Sequence, residues 1–196
     1  MKSIISIVLN NFKNDSRVLK ESITLQRAGY LIEVVALHEE PLQVFEIIKN
    51  IPVHRIRLKS RGWSKNRIIQ FFKYIEFSVR FVREYKESEI FHCNDLGTLP
   101  IAVMIKKFFN PQAKIVYDAH EYETEINGLH GIRKFLIKQL EKRLISSVDK
   151  VITVSDSIAH EYVRLYGIEK PTLVLNTPSY FDVPRFDHFR KKFLIP

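Results

Sequence analysis

The sequence predicts an α/β fold, a doubly wound, Rossmann-like parallel sheet of six to seven strands in one domain. Three observations carry that prediction. Short apolar runs alternate with longer segments whose apolar residues recur every three or four positions. The first 37 residues already read strand, helix, strand, which requires a right-handed crossover and implies parallel pairing. And 196 residues with 45% hydrophobic composition suffice for one good core and are too few for two ordinary domains.

Ile4 to Leu9 reads as a buried strand that Asn10 and Asn11 end. Asp15 or Ser16 can cap the next helix, which carries Val18, Leu19, Ile23 and Leu25 and stops at Gly29. Tyr30 to Leu37 is the second strand. Residues 38–50 are weakly patterned, with a short helix expected around Val44 to Ile48. Ile51 to Leu58 alternates apolar and basic residues and is a third strand, placed near the sheet edge by Pro52.

Lys65 to Glu87 is a long helix. Its 3–4 spacing assigns Ile68, Phe72, Ile75, Val79 and Val82 to the buried face. Tyr74, Phe77 and Phe81 then point outward beside Lys73 and Arg80, an arrangement suited to anionic lipid headgroups. The competing reading is a helix buried on two sides or packed against a partner. Glu89 to Cys93 is a strand, and Asn94 to Thr98 its exit loop, where Asp95 serves either a ligand or the cap of the helix 99–109.

Residues 114–117 form the next strand, followed by a polar loop to about 129. In the helix 131–148, Leu136, Leu140 and Leu144 share one face, and Lys134, Lys138 and Lys142 the other, as a solvated or lipid-facing stripe. Asp149 to Val154 is a strand, Ser155 caps the helix 156–166, and Gly167 closes it. Leu173 to Leu175 is the last strand, leaving through Asn176. Residues 1–178 therefore make the domain, and 179–196 read as the start of a linker.

The 31 basic against 22 acidic residues give a net charge of +9, which favours anionic partners. Neither zinc-finger spacing nor an RNP-type aromatic motif is present, so a nucleic-acid partner is not expected. The single cysteine, Cys93, fits a reducing compartment, and the sequence shows no signal-peptide pattern and no apolar run of roughly 20 residues. The expected location is cytoplasmic, with peripheral attachment to the inner membrane face. The first βα turn lacks G-x-G-x-x-G, with Asn10, Asn11 and Asn14 in its place, which argues against a dinucleotide cofactor.

In open parallel sheets, ligands bind beyond the carboxyl ends of the strands. His120 falls three residues past the apolar run Ile115-Val116-Tyr117, within a polar cluster of Asp118, Glu121 and Glu123. It is the first candidate for chemistry, with a turn-capping role as the alternative.

Five segments in order resemble the N-terminal lobe of glycosyltransferase family 4, the two-lobed GT-B enzymes. They are NDSRVLKESITLQRAGYLIEVVAL (14–37), FHCNDLGTLP (91–100), KIVYDAHEYE (114–123), DKVITVSDSIAHEYVRLYG (149–167) and LVLNTP (173–178). The resemblance implies an acceptor-holding lobe whose partner lobe binds a nucleotide-sugar donor, with retention of configuration and no essential metal or cofactor. It makes His120 the residue facing the donor sugar, Asn94, Asp95 and Glu121 acceptor-side residues, and Asn10, Asn11, Ser155 and Asn176 residues facing the cleft. The acceptor implied is lipid-linked or a surface polysaccharide. The paired glutamates that grip the donor belong to the second lobe, so these residues alone are expected to be inactive. A different reading of the same domain is a non-catalytic module that binds an anionic glycan or a partner protein.

Overall fold

The computed structural model describes residues 2–64, 66–119, 131–177, 182 and 187–194. Its strands are β1 (Ser3–Ile7), β2 (Leu31–Leu37), β3 (Phe45–Ile48), β4 (Ile51–Ile56), β5 (Ile90–Cys93), β6 (Lys114–Asp118), β7 (Lys150–Thr153) and β8 (Thr172–Leu173). The helices are α1 (Ser16–Arg27), α2 (Arg67–Tyr85), α3 (Leu99–Phe108), α4 (Gly131–Ile145), α5 (Asp156–Tyr166) and α6 (His188–Phe193). One sheet of eight strands runs β3-β4-β2-β1-β5-β6-β7-β8, parallel throughout except for the antiparallel β3–β4 pair. The doubly wound fold is as expected, with one strand more than the upper expectation.

The additional strand replaces the short helix expected around Val44 to Ile48. Lys49 and Asn50 both take positive φ, 49° and 68°, which is the backbone of a two-residue hairpin turn, and Ile51 follows at once. β3 thereby becomes the outer edge, and Pro52 sits opposite Ile47 in the hairpin.

The chain winds left from β1 through α1 to β2, and right from β5 onward, so right-handed crossovers put the helices on opposite faces. α1 packs Val18 on Ile4, Val34 and Val53 in one core. α2, α3, α4 and α5 build the larger core on the other face, from Phe77, Phe81, Leu99, Ile105, Ile145 and Tyr162 against Ile7, Phe91, Ile115 and Tyr117. The reversal of winding lies between β1 and β5, and there the loops after the two strands face each other.

The outward and inward faces of α2 are opposite to the sequence expectation, except that Val82 is buried as expected. Phe77 and Phe81 are fully buried and Lys73 is buried, whereas Ile68, Phe72, Ile75 and Val79 are exposed. Phe81 packs its ring against Phe77, Tyr85 and Phe91, an aromatic column that anchors this side of the helix to the sheet. Tyr74 is half-buried and donates its hydroxyl to the carbonyl of Gly97, 2.9 Å away. Phe77, Phe81 and Lys73 are therefore not available at the surface. In the first part of α4 the expectation is likewise overturned, with Leu136 and Leu140 exposed and Lys134 and Lys138 half-buried, whereas Leu144 packs on the core and Lys142 is exposed as expected.

Candidate functional site

The carboxyl ends of β1, β5, β6, β7 and β8 form one edge, and most of the expected site residues lie along it. After β1 the asparagines build their own turn. Asn10 Oδ1 accepts from the Phe12 amide at 2.8 Å and Asn11 Oδ1 from the Lys13 amide at 3.1 Å. Their side-chain amides donate outward, Asn10 to Asp15 and Asn11 to Glu39. Phe12 is held at a φ of 52° with its ring buried, which fixes the loop around it. Asp15 also caps α1, accepting from the Val18 amide.

This loop borders an open hollow of about 490 Å³, lined by Asn10, Asn11, Lys13, Asp15, Arg17 and Asn176 among others. Three of the four residues expected to face the cleft thus meet in one hollow, with a lysine, an arginine and several amide dipoles around it. Ser155, the fourth, caps α5 by accepting from the Ile158 amide and does not line the hollow.

Asn94 is buried, and its NH2 donates to Ser6 Oγ at 2.8 Å and to the Ile7 carbonyl at 2.9 Å, bracing β5 against β1. Asp95 accepts from the amide and, through its carbonyl, from the hydroxyl of Thr98, which closes the turn into α3. Gly97 lets this turn approach β1, since a Cβ there would meet Leu9 Cδ1 at 2.8 Å. The turn of Asn94 and Asp95 is therefore a rigid piece of scaffold at the reversal point. His120 and Glu121 lie outside the described residues.

The strand that leads to His120 is fixed by charge. The Arg17 guanidinium grips Asp118 with two bonds, Nε to Oδ2 at 2.7 Å and Nη2 to Oδ1 at 2.9 Å, and donates to the Val174 carbonyl at 3.0 Å. Glu21 lies 3.0 Å from Arg17, and His92 lies 3.8 Å from Glu21. Asp118 is wholly buried. Burial works against the Arg17 charge, but its bonds to Asp118 prevail and raise its pKa. One arginine in the first turn of α1 thus ties together the ends of β6 and β8.

A second buried carboxylate fixes β6 from the other face. Glu141 of α4 accepts from the hydroxyls of Tyr117 (2.9 Å), Tyr162 (2.5 Å) and Tyr166 (2.6 Å). Burial pushes the Tyr117 and Tyr162 pKa values up, so both remain donors. The Ala119 amide and carbonyl bond to Ile152 and Thr153 of β7, which holds the chain up to the residue before His120.

Glu21, His92 and Asp118 offer ligand atoms within 4.8 Å of one another and are the one such group among the described residues. A guanidinium already supplies the positive charge that both carboxylates face, so a metal ion would have to displace Arg17. Sequence reasoning missed Arg17 and Glu21. Their signal was available as a charged pair at i, i+4 on the helix that follows the first strand.

Beside this cluster an apolar trough of about 390 Å³ runs along α1, floored by Ile4, Ile90, Val116 and Ile152. Among the described residues, α1 covers only part of its face of the sheet.

Residues 17–177 match the family model described as Glycosyltransferase Family 4. No curated protein matches the sequence. Among solved structures, the chain is similar to sucrose-phosphate synthase from Thermosynechococcus elongatus, at a TM-score of 0.74 and 14% identity over 100% of this chain and 53% of that one. It is also similar to the catalytic domain of starch synthase IV from Arabidopsis thaliana bound to ADP and acarbose, at a TM-score of 0.61 and 17% identity over 90% of this chain and 51% of that one. A third similar structure is the lipopolysaccharide outer core galactosyltransferase WaaB, apo form, at a TM-score of 0.61 and 16% identity over 95% and 50%. The chain spans about half the length of each of these three. At these identities the likeness is one of fold.

Proposed function

The chain belongs to glycosyltransferase family 4, and from that premise we propose that it is the acceptor-side lobe of an enzyme that moves a sugar from a nucleotide-sugar donor to a lipid-linked or surface-polysaccharide acceptor. The carrying observation is the family match over residues 17–177, which takes in Arg17, Asn176 and the carboxyl ends of β5, β6, β7 and β8. The hollow at that edge supports the reading: amide groups and two bases suit sugar hydroxyls and anionic groups better than an apolar ligand.

In this reading His120 stands against the donor sugar and hydrogen-bonds it as positive charge develops at the anomeric carbon, with transfer retaining configuration. Arg17 borders the hollow while its bonds to Asp118 hold the end of β6, and Glu141 with its tyrosine partners braces that strand from the other face. Together they hold the end of β6 in place up to Ala119. The donor is held mainly by a second lobe, and the present residues alone turn over little or nothing. The reading calls for no metal. The enzyme works at the cytoplasmic face of a membrane, where a lipid-linked acceptor is found.

The test is His120→Ala in a two-lobed form of the enzyme. Turnover should fall by about tenfold or more with folding intact. Near-native turnover would remove His120 from the chemistry.

A further inference from the structure

α2 and α4 are apolar on both sides, which a helix lying on a sheet does not require. The inner sides face the core through Phe77, Phe81 and Tyr85 of α2 and Ile145 of α4. On its outer side α2 carries Ile68, Phe71, Phe72, Ile75 and Val79, all between 41% and 70% exposed. On its outer side α4 carries Ile132, Phe135, Leu136 and Leu140, between 45% and 79% exposed. α3 packs between them, and its end adds exposed Phe108 and Phe109. Single exposed apolar residues are ordinary, but three neighbouring helices presenting them together make a patch that calls for a partner.

Trp63, 56% exposed, precedes α2 in a loop that is fastened to the same helix. Lys73 donates to the carbonyls of Arg61 and Trp63, and Glu76 accepts from the Lys59 and Ser60 amides. A lysine buried to hold that loop explains why Lys73 is not a surface charge.

The charge of the chain is concentrated on the same layer. α2, α3 and α4 hold eleven bases against three acids, an excess of eight out of the chain's nine. Of the three acids, Glu141 is turned inward to the tyrosines and Glu76 is bound to the loop and Arg80; of the bases, Lys73 is buried and Arg80 and Lys106 are paired with Glu76 and Asp149. Arg67, Arg83, Lys107, Lys142 and Arg143 are exposed. An apolar ridge set among bases, on helices none of which is long and apolar enough to cross a membrane, has the chemistry of a surface that lies flat in a bilayer interface.

We propose that the α2–α3–α4 layer docks on an anionic lipid bilayer, with the apolar stripes of α2 and α4 at the acyl boundary and the surrounding bases on headgroup phosphates. The inference rests on the proposed function only in that it says which side of the lobe meets the membrane. Vesicle binding needs neither donor nor turnover, so its failure leaves the glycosyltransferase reading intact, and a failure of His120→Ala leaves the surface intact.

The experiment is co-sedimentation of the 196-residue chain with vesicles of equal parts phosphatidylglycerol and phosphatidylcholine, and with phosphatidylcholine alone. Binding is expected to the anionic vesicles. Phe71→Ser with Phe72→Ser should weaken it about tenfold or more. Arg67→Glu and Arg83→Glu should each weaken it about fivefold or more. Arg27→Glu, on α1 across the sheet, should change nothing. Absence of anionic-vesicle binding, or an equal loss for Arg27→Glu, would overturn the proposal. So would a chain that is dimeric in sedimentation velocity and becomes monomeric in the Phe71 and Phe72 variant while vesicle binding persists, because the stripe would then be an interface between copies.

Discussion

Arg17 does at one point what several weaker contacts would otherwise have to do. Its partner Asp118 is wholly buried, and a buried carboxylate without a counter-charge is costly. Arg17→Met is therefore expected to destabilise the chain by about 3 kcal/mol or more, read from urea unfolding. Arg17→Met with Asp118→Asn should recover part of that loss, because the orphaned charge is gone. Equal costs for the single and double variants would show that Arg17 acts through packing and not through Asp118. The sequence displayed Arg17 and Asp118, but 101 positions separate them, and only the parallel register of β1, β5 and β6 brings the first turn of α1 over the end of β6. Asn10, Asn11 and Asn176 were legible as strand-exit residues, but their meeting in one hollow depends on the chain after β8 reaching Arg17 and Lys20 of α1. Asn94 and Ser155 were legible in the same way, yet their side chains serve the scaffold, a distinction that spacing does not express.

At the scale of the element, α2 is the instructive case. Its apolar residues fall on two stripes, and 3–4 spacing finds both without saying which meets the sheet. The sheet selected the aromatic stripe, where Phe77, Phe81 and Tyr85 reach Phe91. Phe77→Ala and Phe81→Ala should each cost about 3–5 kcal/mol of folding stability, and Phe72→Ala within about 0.5 kcal/mol of nothing. Thermal or urea unfolding of the three variants checks this, and the opposite ranking would restore the inverted faces. The β3–β4 hairpin went unread for a different reason. Its turn is Lys-Asn and not the Asn-Gly or Asp-Gly that announces such turns, and FEII is too short for its period to separate strand from helix.

Across the whole molecule, loops and helices are fastened by carboxylates whose titration sets the acid limit of the fold. Glu76 is partly buried, which would raise its pKa. Hydrogen bonds from the Ser60 hydroxyl, the Ser60 and Lys59 amides and Arg80 outweigh that and lower it from 4.5 to about 2. Asp149 is likewise lowered, burial being outweighed by Lys106, the Ile115 amide and Lys114, and so joins α3, β6 and β7. A carboxylate whose folded pKa is depressed adds stability above its unfolded pKa and loses it as pH falls towards the folded value. Stability should therefore fall between about pH 4.5 and pH 2. Glu76→Gln should flatten that fall while lowering stability at neutral pH, as measured by urea unfolding across the range. An unchanged acid limb would mean that Glu76 is not held as described.

By itself the sequence determined what is local or periodic: the alternation of strands and helices, the parallel winding, the caps at Asp15 and Ser155, and the strand exits where a site must lie. Period and capping are properties of neighbouring residues, so they can be read along the chain. Tertiary structure alone decided which of two apolar helix faces turned inward, which distant charges met, and where the surplus bases came to lie together. Those outcomes depend on burial against partners far away in the sequence. Packing chose the stripe of α2 that fits the aromatic sheet face and left the other to the surface.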